Sequence, residues 1–370
     1  MKNRAEKFTG LTMAIHPVFN LIGIILLSIK KSQLITKIKS DRISLYFWML
    51  LAASGVISII VSIDKPLAIA SFLAPFIFIW LYILGRWVIK DPAAFVQNLI
   101  RGAAILALSL IIAKIFHLNW QIGSVKILSA AKRGMFLEIR DNGLAVLIQT
   151  GVVGALGSIF IYWKGKKYVL ENIFSFLICA YGLTITESRG AMIGIMVSMV
   201  FMFALLGWKA LVGAGTAVGI FAFFSSRFFS SFNIKEHSSY LRLIIWKSSL
   251  QIVKDHPLFG VGPGNFVSIY EKYKPAQFKA SNYNVTCAHS NYLSFIIGWG
   301  IIGGILFWGW QLFVIIRAAI KGLTPLQKII LAILISFYAH VTVNDLFATY
   351  WGFILGLMDH PSFQKKAENI

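Results

Sequence analysis

Apolar runs long enough to cross a membrane divide almost the whole chain. A spanning helix needs about 20 mostly apolar residues. Runs of that order, bounded by charge or by Pro and Gly, begin near Phe8, Ser44, Leu67, Gly102, Gly143, Val169, Ala191, Leu211, Ser290, Leu326 and Phe347. They predict an all-α, polytopic integral membrane protein with about 11–12 transmembrane helices. The first run contains His16 and Pro17, and the last is short. Composition agrees: of 370 residues, 58% are hydrophobic and 13% charged, against about 45–50% and about 25% in soluble domains. Cys179 sits in an apolar run and Cys287 in a polar stretch, so a disulfide between them is not expected.

The net charge of +21, from 35 Lys and Arg against 14 Asp and Glu, is placed by the short loops. Lys30, Lys31, Lys37, Lys39 and Arg42 form one basic group. Arg86, Lys90 and Arg101 form a second, and Lys164, Lys166 and Lys167 a third. Lys209 follows, then Arg317, Lys321 and Lys328, then Lys365 and Lys366. Basic short loops lie in the cytoplasm. Residues 64–66, 119–141, 187–190 and 225–289 then lie outside. The chain reads as one membrane domain over 1–370, with 225–289 as a large extracytoplasmic loop. That loop is itself basic, as is 119–141, and the positive-inside bias does not account for this. Long loops escape that bias, which is one reading; the other, and the preferred one, is an outer pocket for an anionic phosphate or pyrophosphate group.

Candidate residues gather on that face. Residues 238–254 recur with helical spacing, with Ser238 or Ser239 as N-cap, so a helix outside the membrane is expected over 240–254, with Arg242 and Trp246 on one face. Pro257 ends it. Gly260, Gly262, Pro263 and Gly264 then form a tight turn whose amides can approach a ligand. His289 stands at the mouth of the next span, where an imidazole serves as general base, phosphate donor or cap. Arg189, with Glu187 close by, sits in the hairpin TITESRG, and an ionisable residue there is a functional candidate. Arg133 and Arg140 flank RGMFLEIRDNGLA on the same face. Glu236, Asp255 and Glu271 show no metal-ligand spacing.

Together SRG at 188–190, the stretch from Arg242 through HPLFGVGPGNF at 256–266, and HSNYLSFIIGWGIIG at 289–303 resemble the O-antigen ligase and polymerase superfamily of bacterial membrane glycosyltransferases. The match runs from about residue 133 to about residue 304. The resemblance implies a GT-C-type, all-helical fold with short helices in the large outer loop. It also implies transfer of a glycan from an undecaprenyl-diphosphate carrier to a lipid, glycolipid or other cell-surface acceptor such as lipid A-core. The reaction would be inverting and use no metal, nucleotide or other cofactor, at the outer side of the bacterial cytoplasmic membrane and among membrane lipids, with no nucleic acid involved. Arg189 and Arg242 would hold the diphosphate, assisted by Arg133 and Arg140, with His289 as the catalytic imidazole. Trp246, Gly262, Gly264 and Asn291 complete the substrate-binding set. Tyr270, Tyr273, Tyr283 and Tyr292 stand as sugar-stacking or interface aromatics. Many ligases have a carboxylate in the helix after the histidine; Gly298 stands at that position, which puts the weight on His289. A polymerase acting on lipid-linked repeat units needs the same donor site. A transporter for an anionic solute is the reading from another class, and the internal repeat expected of one is not seen.

Overall fold

The computed structural model describes residues 34–122, 125–129, 135–136, 139–162, 168–206, 215, 219, 237–280, 284–346 and 350–363. The runs expected from Phe8 and Leu211 lie outside them. Among the described residues seven helices are long and apolar enough to cross a membrane. The chain is a mostly helical, multi-pass membrane protein.

The order is α1 (Leu34–Ser40), α2 (Arg42–Ile60), α3 (Lys65–Phe72), α4 (Ala74–Trp87) and α5 (Pro92–Ile115), then a sheet. It continues with α6 (Asp141–Tyr162), α7 (Val169–Thr186), α8 (Arg189–Leu206) and α9 (His237–Asp255). The short α10 (Phe266–Tyr273) and α11 (Ala276–Ala280) precede α12 (Asn291–Ile320), α13 (Pro325–Thr342) and α14 (Trp351–Met358). Local chemistry fixes the starts. The Asp64 and Asp91 carboxylates accept from Leu67 N and Ala94 N, and each is followed by a proline in the first turn. Thr324 and Gln327 form a reciprocal capping box at α13.

Small residues set the interfaces, as in other membrane bundles. Gly85 lies against Phe353, and Gly352 and Gly356 against Phe78 and Tyr82, so α4 and α14 meet backbone to backbone. Gly182 packs on Ala107, and Gly194 on the Ser336 carbonyl. Lys328 Nζ donates to the Leu205 carbonyl at 3.2 Å, so α8 and α13 run antiparallel.

The all-α expectation needs one correction. β1 (Asn119–Ile122), β2 (Val125–Ser129), β3 (Met135–Phe136) and β4 (Ile139–Arg140) form an antiparallel meander in the order β1-β2-β3-β4. Trp120 pairs with Leu128, and Leu128 with Phe136. A Gly-Ser pair between runs of β-forming residues is the hairpin signal in the sequence.

Buried ion pairs close the end of the bundle away from this sheet. Arg86 and Arg317 both bind Asp41 and Asp359, and Tyr82 donates to Asp359 Oδ2 at 2.9 Å. The Arg317 Nη1 to Asp41 Oδ1 distance is 2.9 Å. Arg86 and Arg317, expected as loop charges, thus lie in a neutral buried network that ties α2, α4, α12 and the residue after α14. Arg101 pairs with Glu171 across α5 and α7.

Candidate active site

The opposite end of the bundle brings the sequence motifs together. Its organising feature is a break in α12 at Gly300, where φ is 72° and ψ is 177°. A break leaves backbone groups without helical partners, and inside a membrane they must be satisfied locally. The glycine turn supplies the partners. Val261 N–H donates to the Ile297 carbonyl at 2.9 Å and Gly262 N–H to the Gly298 carbonyl at 3.1 Å. In return Ile301 N–H donates to the Pro257 carbonyl at 2.8 Å. Ser58 Oγ adds a bond to the Gly298 carbonyl at 2.7 Å.

A Cβ at Gly300 would fall onto the Leu258 carbonyl, and one at Gly260 onto that of Ile297. The turn is therefore bound to α12. The expectation that its amides meet a ligand is corrected for Val261 and Gly262, whose N–H groups are already engaged. Gly264, with φ of 79°, packs on Ser71 and Leu67. Asn265 joins the turn to the α2–α3 connection, its amide bonding both the N–H and the carbonyl of Asp64 at 3.1 Å.

A second set of contacts positions the hairpin arginine. Ser188 Oγ donates to Asn142 Oδ1 at 2.5 Å, and Asn142 Nδ2 donates to Asn344 Oδ1 at 2.9 Å. The Asn344 carbonyl accepts from Asn291 N–H at 3.2 Å. Three asparagines thus link the starts of α6, α8 and α12 to the end of α13. Gly190 lies so close to His340 and Asn344 that any side chain would displace them. Arg189 is 9% exposed, and its Nη1 donates to Ser239 Oγ at 3.0 Å.

The helix expected over 240–254 is α9, and it begins earlier, at His237. Ser239 is therefore no N-cap; it stands in the first turn, turned to Arg189. Ser239, Arg242 and Trp246 recur at helical spacing on one face. Trp246 Nε1 donates to the Ala288 carbonyl at 3.0 Å, which holds the segment entering α12. His289 has a left-handed backbone, φ 51°, and its Nδ1 lies 3.6 Å from Cys287 Sγ. Burial pushes the His289 imidazole below its ordinary value, and the charge of Arg242 adds to this. The neutral ring is the form able to accept a proton.

Asn291 uses both ends of its amide on the Leu346 backbone, at 2.8 and 2.9 Å. Tyr270 is buried against Phe266, and Tyr273 donates to Asp255 Oδ2 at 2.6 Å. Tyr292 donates to the Tyr338 carbonyl at 3.3 Å. Arg133 and Tyr283 lie outside the described residues, and Arg140 is placed by its backbone in β4, opposite Met135. Cys179 and Cys287 are both free thiols. Among the described residues no three His, Cys, Asp or Glu side chains gather as metal ligands would.

Sequence reasoning missed Asp345. It lies beyond α13, binds the Ser294 hydroxyl, and lines a cavity of about 460 Å³ with Ser71, Thr286, Cys287 and Asn291. Burial raises its carboxyl above the ordinary value, against the opposing hydrogen bond from Ser294. It fits no local motif, and only the fold brings it to the helix that carries Gly298.

No curated protein matches the chain. A family model described as O-antigen ligase matches residues 174–308. That stretch holds the arginine hairpin, α9, the glycine turn, His289 and the broken helix. The match bears out the resemblance seen in the motifs and supports an O-antigen ligase or polymerase type of membrane enzyme.

Proposed function

We propose that the protein transfers a glycan from a polyprenyl-diphosphate carrier to an acceptor hydroxyl, as a ligase, at the outer face of the bacterial cytoplasmic membrane. The observation that carries this reading is the bond from Arg189 to Ser239, three residues before Arg242 on the same face of α9, with the Arg242 charge felt at His289. The donor's leaving group is a diphosphate that gains charge as it departs. Preorganised cations stabilise that charge most where water is scarce. Arginine suits the task because it stays charged and offers paired donors to phosphate oxygens. Arg189 and Arg242 hold the diphosphate, and Arg140 adds to the positive field.

His289 accepts the proton of the acceptor hydroxyl. The new bond forms between the acceptor oxygen and the anomeric carbon, and the bond from that carbon to the phosphate oxygen breaks. The electron pair leaves with the diphosphate. Direct attack of this kind inverts the anomeric centre. The asparagine links and the Trp246 bond tie together the elements that carry the arginines and the imidazole, and positioning is a large part of catalysis.

The test is purified full-length protein in detergent with undecaprenyl-diphosphate-linked oligosaccharide, with and without a lipid or glycolipid acceptor, and with chelator. Products are followed by mass spectrometry. Release of undecaprenyl diphosphate that needs the acceptor, persists in chelator and is lost in His289→Ala supports the ligase. Longer lipid-linked chains from donor alone make the protein a polymerase. Intact donor that is only bound or moved across vesicles makes it a transporter.

A further inference from the structure

The cavity beside Asp345 has a charge pattern opposite to that of the arginine site. Phe78, Phe295, Trp299, Phe307, Trp308 and Phe337 form its walls, and Asp345 is the one charged side chain among the described residues that line it. No lysine or arginine belongs to that lining set, so nothing in it offsets the charge of a diphosphate. Its size and its mix of aromatic walls with a few polar groups are those of a small-molecule site.

Cys287 marks the border between the two regions. It lines the cavity, its Sγ touches His289, and it feels both the Arg242 and the Asp345 charge. A transferase needs two such regions meeting at one reacting point, an anionic-group site and a site for the incoming hydroxyl. We propose that this cavity is the acceptor subsite, taking a neutral, hydroxyl-bearing sugar whose hydroxyl donates to Asp345. A sugar ring offers a C–H face to the aromatic walls and hydroxyls to Asp345, Ser294 and Thr286. A hydrocarbon chain at the same place leaves the polar Asp345 carboxyl group facing apolar matter, which is costly. The Asn291 amide is already engaged by Leu346 and serves as wall.

The assignment rests on the transferase reading for the word acceptor, while its test is a binding measurement that needs no turnover. The full-length chain in nanodiscs is titrated with methyl β-lactoside, with pyrophosphate and with geranylgeraniol, following tryptophan fluorescence with Trp308→Phe as the control for the local reporter. The expected result is a saturable response to the lactoside in wild type and in Arg189→Ala. The response weakens at least tenfold in Asp345→Asn and vanishes in Ala74→Trp, which fills the cavity from its rim. No saturable lactoside response in wild type overturns the proposal. So does an unchanged response in both Asp345→Asn and Ala74→Trp. A geranylgeraniol response that Ala74→Trp abolishes, with none to the lactoside, also overturns it and makes the cavity a hydrocarbon site. Lactoside binding without transfer in any assay leaves the sugar site standing and removes the transferase reading.

Discussion

Arg189 Nη1 donates to Ser239 Oγ across 3.0 Å, from the first residue of a membrane helix to the first turn of α9. The bond ties a buried guanidinium to a helix from the large polar segment. It places Arg189 on the same face of α9 as Arg242, whose charge reaches His289. Cation and imidazole are therefore held through one rigid element.

Loss of the Ser239 hydroxyl loosens Arg189 without removing its charge. A hydrogen bond from a charged group contributes about 1.5–3 kcal/mol net. Ser239→Ala is expected to lower turnover by about tenfold to a hundredfold, and Ser239→Thr to restore most of it. Steady-state kinetics on the purified variants check both.

Substitution at the α12 break acts on folding. Gly300 has a left-handed backbone, and the Leu258 carbonyl fills the space a side chain would need. A left-handed residue other than glycine costs about 1–2 kcal/mol, and overpacking adds about 1–3 kcal/mol. Gly300→Ala is expected to cut the yield of monodisperse protein sharply and to lower its thermal midpoint. Size-exclusion chromatography and a thermal ramp in detergent read this.

The acid limb of activity reports His289. Its pKa lies below the ordinary 6.5, so the neutral ring predominates at pH 7 and is lost only as pH falls through the lowered value. The midpoint of the acid limb is expected below 6.5 in wild type and nearer to 6.5 in Arg242→Gln, where the depressing charge is gone. The native state also binds fewer protons than the unfolded chain in this window, so stability falls in the same direction. A pH–rate profile of both proteins gives the two midpoints.

At the far end, Asp41 faces Arg86 and Arg317 while 7% exposed. Removing one member of a buried ion network leaves charge uncompensated and costs about 3–5 kcal/mol. Asp41→Asn is expected to lower the thermal midpoint strongly while leaving turnover per folded molecule unchanged. Thermal unfolding and active-site-normalised kinetics separate the two effects.

Hydropathy made the bundle legible, since the runs from Val169, Ser290 and Leu326 begin within a residue of α7, α12 and α13. The run from Gly102 is a helix that begins at Pro92. Gln97, Asn98 and Arg101 interrupt its apolar pattern, yet Glu171 and Asn172 on α7 satisfy Gln97 and Arg101. Such pairing across helices has no local trace. The glycine turn was visible as a turn, but its partner was hidden, because a break at Gly300 inside GWGIIGG looks like ordinary small-residue packing. Asp345 was invisible for the same reason: its meaning comes from Ser294, on another helix.

The most direct measurement is the rate of undecaprenyl diphosphate release by wild type, Arg189→Ala and Arg242→Ala at matched amounts of folded protein. Loss of one preorganised donor at a developing anion costs about a hundredfold or more in turnover, and a drop of that size is expected in each variant. Either variant releasing the carrier at the wild-type rate contradicts the claim that these arginines hold the diphosphate.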